Sequence, residues 1–217
     1  MKKYIIFDFD GTIINTNDVI IESFQATYEH FYGGRVDEEK ITRVFGEPLM
    51  VTMARDFPMV SVENAMQFYR QYQFSHADEL VKEFPGIRDM LEELKGLGFN
   101  MVIVTSRTTD STLKYLKMFN LDEYFTDIVS CDDTTIHKPN PEPIYIALKK
   151  LNSKKEEAIM IGDGSFDIKC ANNAKVKSIL VGWKITEEVN PLVGECKEDY
   201  NCETPKDIVK LLKELNA

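Results

Sequence analysis

The stretch YIIFDFDGTI, residues 4–13, decides how this chain is read. Its opening, Tyr4-Ile5-Ile6-Phe7, is a near-continuous apolar run, the pattern of a strand covered on both faces of a parallel sheet. The run stops at two carboxylates one residue apart, Asp8 and Asp10, with Gly11 and Thr12 directly behind them. Such a pair has two readings: a capped turn, or acids held at a strand end for chemistry.

Outward from this strand the pattern turns helical. Ile20, Phe24, Tyr28 and Phe31 recur at helical spacing until Gly33-Gly34 stops them. Val62, Ala65, Met66, Tyr69, Tyr72, Leu80 and Val81 predict one further long amphipathic helix between residues 61 and 84, and nothing in this block alternates like a strand. From Pro85-Gly86 the texture changes to alternating helix and short apolar strand. Helices are expected near residues 87–97, 113–119, 141–148 and 166–174, with a last one begun by Thr204-Pro205. Strands are expected at 101–104, 128–129, 158–161 and 179–181. This order predicts an α/β fold, a Rossmann-like parallel sheet with helices on both faces. The first strand needs partners and so joins the same sheet. The expected organisation is a core of residues 1–14 and 85–217 and an all-helical cap of residues 15–84. The cap lies at the carboxyl ends of the strands, where open α/β sheets bind ligands, with Pro85-Gly86 as a hinge.

Composition narrows the function classes. The 217 residues suit one sizeable domain or a core with a smaller insert, and no apolar stretch reaches membrane-span length. The N-terminus has no secretion-signal pattern, so a cytoplasmic setting is expected. A net charge of −10 repels polyanions, which argues against nucleic acid or an anionic membrane as the main partner. A small anionic substrate remains open. Of the four cysteines, Cys131 and Cys170 are read as small buried fillers, and Cys196 and Cys202 as reduced thiols rather than a disulfide. Oligomeric state is not legible.

Polar groups recur behind the strands. Thr105, Ser106 and Arg107 follow the strand at 101–104, Lys138 lies in HKPNPEP, and Asp163 and Asp167 follow the strand at 158–161. Each alone has an ordinary explanation as a cap, turn or loop residue. In a parallel sheet, however, all these ends point one way and the groups converge. Several aspartates and one lysine near a point are costly without a cation, and a hard divalent ion such as Mg²⁺ bound by oxygens relieves that cost.

In this order the residues resemble the haloacid dehalogenase-like (HAD) hydrolases. DFDGT at 8–12, Thr105, Lys138 in KPNPEP and GDGSFD at 162–167 look like that family's four motifs, with a helical cap of the C1 type behind the first. Residues 13–17, DELVKEFPG at 78–86 and KPNPEP most resemble the phosphoglycolate phosphatases and the small bacterial pyrophosphatases of the PpaX type. The resemblance implies a Mg²⁺-dependent phosphatase acting on a small phosphorylated metabolite or pyrophosphate through an aspartyl-phosphate. Asp8 would be the nucleophile, Asp10 the acid and base, and Thr105 and Lys138 the holders of the phosphoryl oxygens. Metal ligands would be Asp8, the Asp10 carbonyl and Asp163, with Asp167 steadying a metal-bound water or Lys138. Gly11, with its amide donating, Thr12, Ser106, Arg107 and Glu47 are the candidate substrate contacts. Glu47 is an odd companion for pyrophosphate, and Arg107 would reach a second phosphate or a carboxylate, or stand as a solvated loop residue.

Two alternatives are set against this. A hexose-phosphate mutase of the same family would carry a His where Ile20 stands, with His30 lying beyond it. A non-enzymatic phospho-receiver domain uses a similar Asp, Thr or Ser, Lys and Mg²⁺, but has its acceptor on a middle strand and no cap. Asn15 replaces a common Asp and bears on the cap hinge, and Lys175 replaces a common Gly at a helix end. His30, His76, His137 and Trp183 are read as packing or orienting residues.

Overall fold

The computed structural model describes residues 1–183 and 196–217. Strand β1 (Tyr4–Phe7) is followed by a two-residue strand β2 (Ile14–Asn15). Then come helices α1 (Asn17–Tyr32), α2 (Glu38–Thr42), α3 (Leu49–Asp56), α4 (Val62–Ser75) and α5 (Ala77–Leu80), and a short strand β3 (Lys82–Glu83). The rest alternates: α6 (Ile87–Gly96), β4 (Asn100–Val104), α7 (Thr109–Met118), β5 (Asp127–Val129), α8 (Glu142–Lys150) and β6 (Ala158–Gly162). It ends with α9 (Ser165–Ala174), β7 (Lys177–Val181), β8 (Tyr200–Cys202) and α10 (Pro205–Asn216).

The main sheet has the order β5-β4-β1-β6-β7-β8, and every pairing in it is parallel. Strand β1 is central, with Tyr4–Phe7 registered against residues 100–103 on one side and 158–161 on the other. The chain builds outward to β5 on one side of β1, then crosses to begin β6 on the other. That reversal opens a crevice at the carboxyl end of β1. The pleat explains the unbroken apolar run: Ile5 and Phe7 join the cluster under α6 and α10, while Ile6 joins the cluster under α8 and α9. Both faces are dry from Ile5 to Phe7, which leaves no polar position among those three; Tyr4, at the strand's start, is half-buried.

Helices α1–α4 bury a third cluster of their own, with Phe24, Tyr28, Met53, Phe57 and Tyr69 at its centre. Gly33 ends α1 with a φ of 77°, as the Gly-Gly signal implies.

Several details depart from the sequence expectations. The helical block is not all-helical: β2 and β3 pair antiparallel, Ile14 with Glu83 and Asn15 with Lys82, and this ribbon carries both chain crossings. The helix expected to run through residues 61–84 breaks at His76. There the backbone leaves helical geometry while the imidazole Nδ1 sits 2.9 Å from the Tyr72 carbonyl and the ring stacks on Tyr72. A sixth strand, β8, extends the sheet beyond β7. Smaller shifts are of the kind helix ends allow, the largest being α7, which starts at Thr109 rather than near 113. Lys175 does close α9, in the left-handed conformation. No disulfide joins the four cysteines, all of which are among the described residues; Cys170 and Cys202 are buried. Cys131 is not the buried filler expected: it is half-exposed on the loop behind β5.

Candidate active site

The loops that leave the carboxyl ends of β1, β4 and β6, and the loop ahead of α8, meet in the crevice. Asp8 directly follows β1, and its amide donates to the Ile161 carbonyl of β6 at 2.8 Å, which fixes it to the neighbouring strand. Lys138 reaches in from the segment before α8, next to a cis Lys138–Pro139 peptide. Its ammonium donates to Asp8 at 2.5 Å, to Asp167 at 2.7 Å and to the Val104 carbonyl at 3.3 Å. Only 4% of the lysine side chain is exposed. Thr12 is fully buried and its hydroxyl donates to the second oxygen of Asp8 at 3.3 Å. Oxygens of Asp8, Asp163 and Asp167 lie within 4.8 Å of one another.

Three carboxylates against one ammonium leave the cluster short of positive charge. Burial, then the charge of Asp167, pushes Asp8 up to about 7, with Lys138 pulling the other way. Burial and the Asp8 charge likewise hold Asp163 well above the ordinary carboxylate range. Burial works against the Lys138 ammonium, but the attraction of Asp167 and Asp8 outweighs it and raises its pKa. The lysine therefore keeps its proton, and the carboxylates are the groups that feel the deficit. A divalent cation fits this donor set: hard oxygens, close together and under-neutralised. Gly11 shows how tightly the cluster is built. Its φ is 77°, and a Cβ there would sit 2.2 Å from Asp163 Oδ2.

Asp10 stands apart from that cluster and has its own cation. Arg107 Nε donates to both Asp10 oxygens at 2.8 Å, and the Thr16 hydroxyl donates to one of them at 2.6 Å. The guanidinium lies 4.6 Å from the centre of the Tyr115 ring and donates from Nη1 to Gln73 of α4 at 3.3 Å. With 9% of its side chain exposed, Arg107 is not the solvated loop residue that one sequence reading allowed. It ties the core acid Asp10 to the helical block.

Other expected residues fall differently. Thr105 is buried beside the cluster, and its oxygen accepts the Arg107 amide at 3.1 Å. The Gly11 amide, expected to donate toward a phosphate, instead donates to the Ile14 carbonyl at 2.9 Å; what Gly11 gives the site is clearance for Asp163. Ser106 donates to the Gly46 carbonyl at 3.1 Å, pinning the loop before α3 to the core. Glu47, on that loop, is already satisfied by Thr52 at 2.7 Å and by Arg55 at 3.0 Å, which accounts for an acid facing the site. His137 bonds Thr134, His30 stacks on Phe68, and Trp183 donates to the Thr12 carbonyl. Thr16, Gln73 and Tyr115 were not singled out from the sequence; a Gln on the buried face of α4 beside Tyr69 was the one available signal.

Above the charged floor is a cavity of about 640 Å³, roofed by α1, α4 and the loop before α3. Ile20, Phe45, Leu49 and Met66 give it apolar walls.

Fold and site together define an α/β enzyme whose polar centre is an aspartate at the end of the middle strand of a parallel sheet. The chain belongs to the haloacid dehalogenase-like hydrolases, whose family model matches residues 5–181. It is 38% identical over 208 residues to "Pyrophosphatase PpaX" of Halalkalibacterium halodurans, covering 96% of this chain and 95% of that one. It is 35% identical over 213 residues to the protein of the same name from Bacillus mycoides, covering 98% of each. Among solved structures, one described as a "predicted phosphatase" from Clostridium acetobutylicum superposes with a TM-score of 0.84 at 26% identity, over 99% of both chains. Among the described residues no helix is long and apolar enough to cross a membrane.

Proposed function

We propose that the protein is a Mg²⁺-dependent phosphatase that hydrolyses a small phosphate ester or anhydride through an aspartyl-phosphate on Asp8. The observation that carries this reading is the cluster of buried Asp8, Lys138 and Asp167 with half-buried Asp163 at the strand ends, and Thr105 beside it. The PpaX relatives favour pyrophosphate as substrate, and the sequence resemblance to phosphoglycolate phosphatases keeps phosphoglycolate beside it. Residues 1–14 and 85–217 form the core in this reading, and residues 15–84 the cap that closes over the substrate.

Asp8 is placed to attack phosphorus, splitting one hard displacement into two. Thr105 and Lys138 hold the phosphoryl oxygens as charge moves between them. Asp10, steadied by Thr16 and Arg107, gives a proton to the leaving oxygen and later takes one from the hydrolytic water. Asp8, Asp163 and the Asp10 carbonyl would hold Mg²⁺, with Asp167 fixing Lys138 from behind. When bound, the ion would screen the clustered carboxylates from the incoming phosphate and draw charge off the phosphoryl group. Release of inorganic phosphate from pyrophosphate and phosphoglycolate, with Mg²⁺ and with EDTA, tests the reading. Many turnovers per chain without a sugar acceptor are expected, and Asp8→Asn is expected to abolish them while leaving the melting profile cooperative. Full activity in that variant would overturn the mechanism; a single phosphate per chain would point to a receiver instead.

A further inference from the structure

The cations that line the cavity are not equivalent. Lys138 is committed to Asp8 and Asp167, and Arg107 is committed to both oxygens of Asp10. Neither has charge to spare for a distant part of a substrate. Arg70 also lines the cavity, from the middle of α4, and is only half-buried. It has no hydrogen bond or ion pair among the described residues, and the half-exposed Cys131 lines the same cavity. Asp132 also lines the cavity and accepts the Thr109 amide at 2.8 Å, and it makes no ion pair with Arg70.

The placement of Arg70 on its helix adds to this. Residues 66, 69, 70, 73 and 74 all line the cavity, the spacing of one helical face. On that face Gln73 reaches Arg107 and so belongs to the end of the cavity where Asp10 sits. Arg70 lies one turn of α4 nearer the N-terminus, with Met66 one turn further on. A guanidinium with no partner among the described residues, beside apolar walls and above a floor crowded with carboxylates, suits an anion. That anion cannot be the transferred phosphoryl group, whose place is at Asp8.

Resting on the phosphatase reading, we propose that Arg70 is the specificity-determining residue of the cavity, and that the substrate class is a phosphate compound carrying a second anionic group. That group, a carboxylate or a further phosphate, is the one Arg70 receives. The site then selects bis-anions over phosphomonoesters with neutral leaving groups. Pyrophosphate and phosphoglycolate both satisfy this requirement for the same physical reason.

The test is a comparison of kcat/KM for pyrophosphate, phosphoglycolate and p-nitrophenyl phosphate, in the wild-type protein and in Arg70→Ala and Arg70→Lys. Wild type is expected to favour the two bis-anions. In Arg70→Ala the ratio of bis-anion to p-nitrophenyl phosphate kcat/KM should fall roughly 10- to 100-fold, mostly through KM, as suits loss of a charge-assisted contact. Arg70→Lys should recover part of that ratio, because it restores the charge without the planar fork. A ratio unchanged in Arg70→Ala, or a wild type that turns over p-nitrophenyl phosphate as well as the bis-anions, overturns this inference alone. No Mg²⁺-dependent release from any of the three substrates overturns the phosphatase reading, and the inference with it.

Discussion

Replacing Lys138 by Met keeps most of the side chain's length and removes its charge. Among the described residues that ammonium is the one cation bonded to Asp8 and Asp167, at 2.5 and 2.7 Å, and it sits among three clustered carboxylates. Removing one partner of a buried ion pair costs about 3–5 kcal/mol, because the other partner stays behind uncompensated. In a chain of this size each kcal/mol moves Tm by roughly 2–4 °C. Metal-free Lys138→Met should therefore melt roughly 6–20 °C below metal-free wild type near pH 8. The loss carries a pH signature. Asp8 titrates at about 7 in the folded protein, against an ordinary value of 3.8. An acid whose folded pKa is raised contributes stability that is complete below the unfolded value and disappears as pH rises through the folded one. Near pH 5 the carboxylates can neutralise themselves by protonation, so the gap between variant and wild type should narrow there. Thermal melts in EDTA near pH 5 and pH 8 read both effects. A variant within about 2 °C of wild type at the higher pH would show that the lysine is not compensating buried charge.

The same linkage predicts that metal-free wild type loses stability between about pH 5 and pH 8, and that Mg²⁺ at a hundred times its Kd returns about 2.7 kcal/mol, chiefly at the upper end. Melts with and without Mg²⁺ check this; a stabilisation equal at both pH values would contradict it. In Gly11→Ala the new methyl group meets Asp163 at 2.2 Å in a left-handed backbone that itself costs about 1–2 kcal/mol. The expected outcome is a Mg²⁺ requirement raised tenfold or more, on the order of 1.4 kcal/mol, measured as the activating Mg²⁺ concentration. An unchanged requirement would remove Gly11 from any part in shaping the site. Arg107→Lys keeps a cation near Asp10 but loses the two-oxygen grip from Nε, and should lower kcat roughly tenfold or more and displace a limb of the pH–rate profile. A change confined to KM would mean that Arg107 serves substrate binding and leaves Asp10 alone.

How much of this was legible in the sequence depends on the range of the forces involved. Tyr4–Phe7 announces itself because Ile5, Ile6 and Phe7 are buried on both faces of the sheet, so burial writes a signal into three successive residues. The order of motif residues could be read because a parallel sheet sends every strand end to one side. The β2–β3 ribbon could not: two strands of two residues have no period, and Lys82 and Asn15 look like any loop pair. Strand β8 hides for a similar reason, since only Cys202 of its three residues is buried. The Arg107–Asp10 pair joins residues 97 positions apart, and no local pattern announces such a partnership. Gly11 was read as a phosphate contact through its amide, but the neighbour that forbids a side chain there, Asp163, follows the adjacent strand β6, far along the chain. Arg70 gave no signal at all, because its meaning lies in which other cations are already engaged.

The β2–β3 ribbon has a topological consequence. The chain leaves for the helical block at Asn15 and returns at Lys82, and these two residues lie directly opposite each other across the ribbon. To the sheet below, everything between them is therefore equivalent to the tip of one hairpin. Its length and content can change without altering where the strands begin or end. A scaffold wired in this way can exchange its whole roof and keep its foundation, which makes the ribbon the natural seam for grafting a different specificity onto the same carboxylate floor.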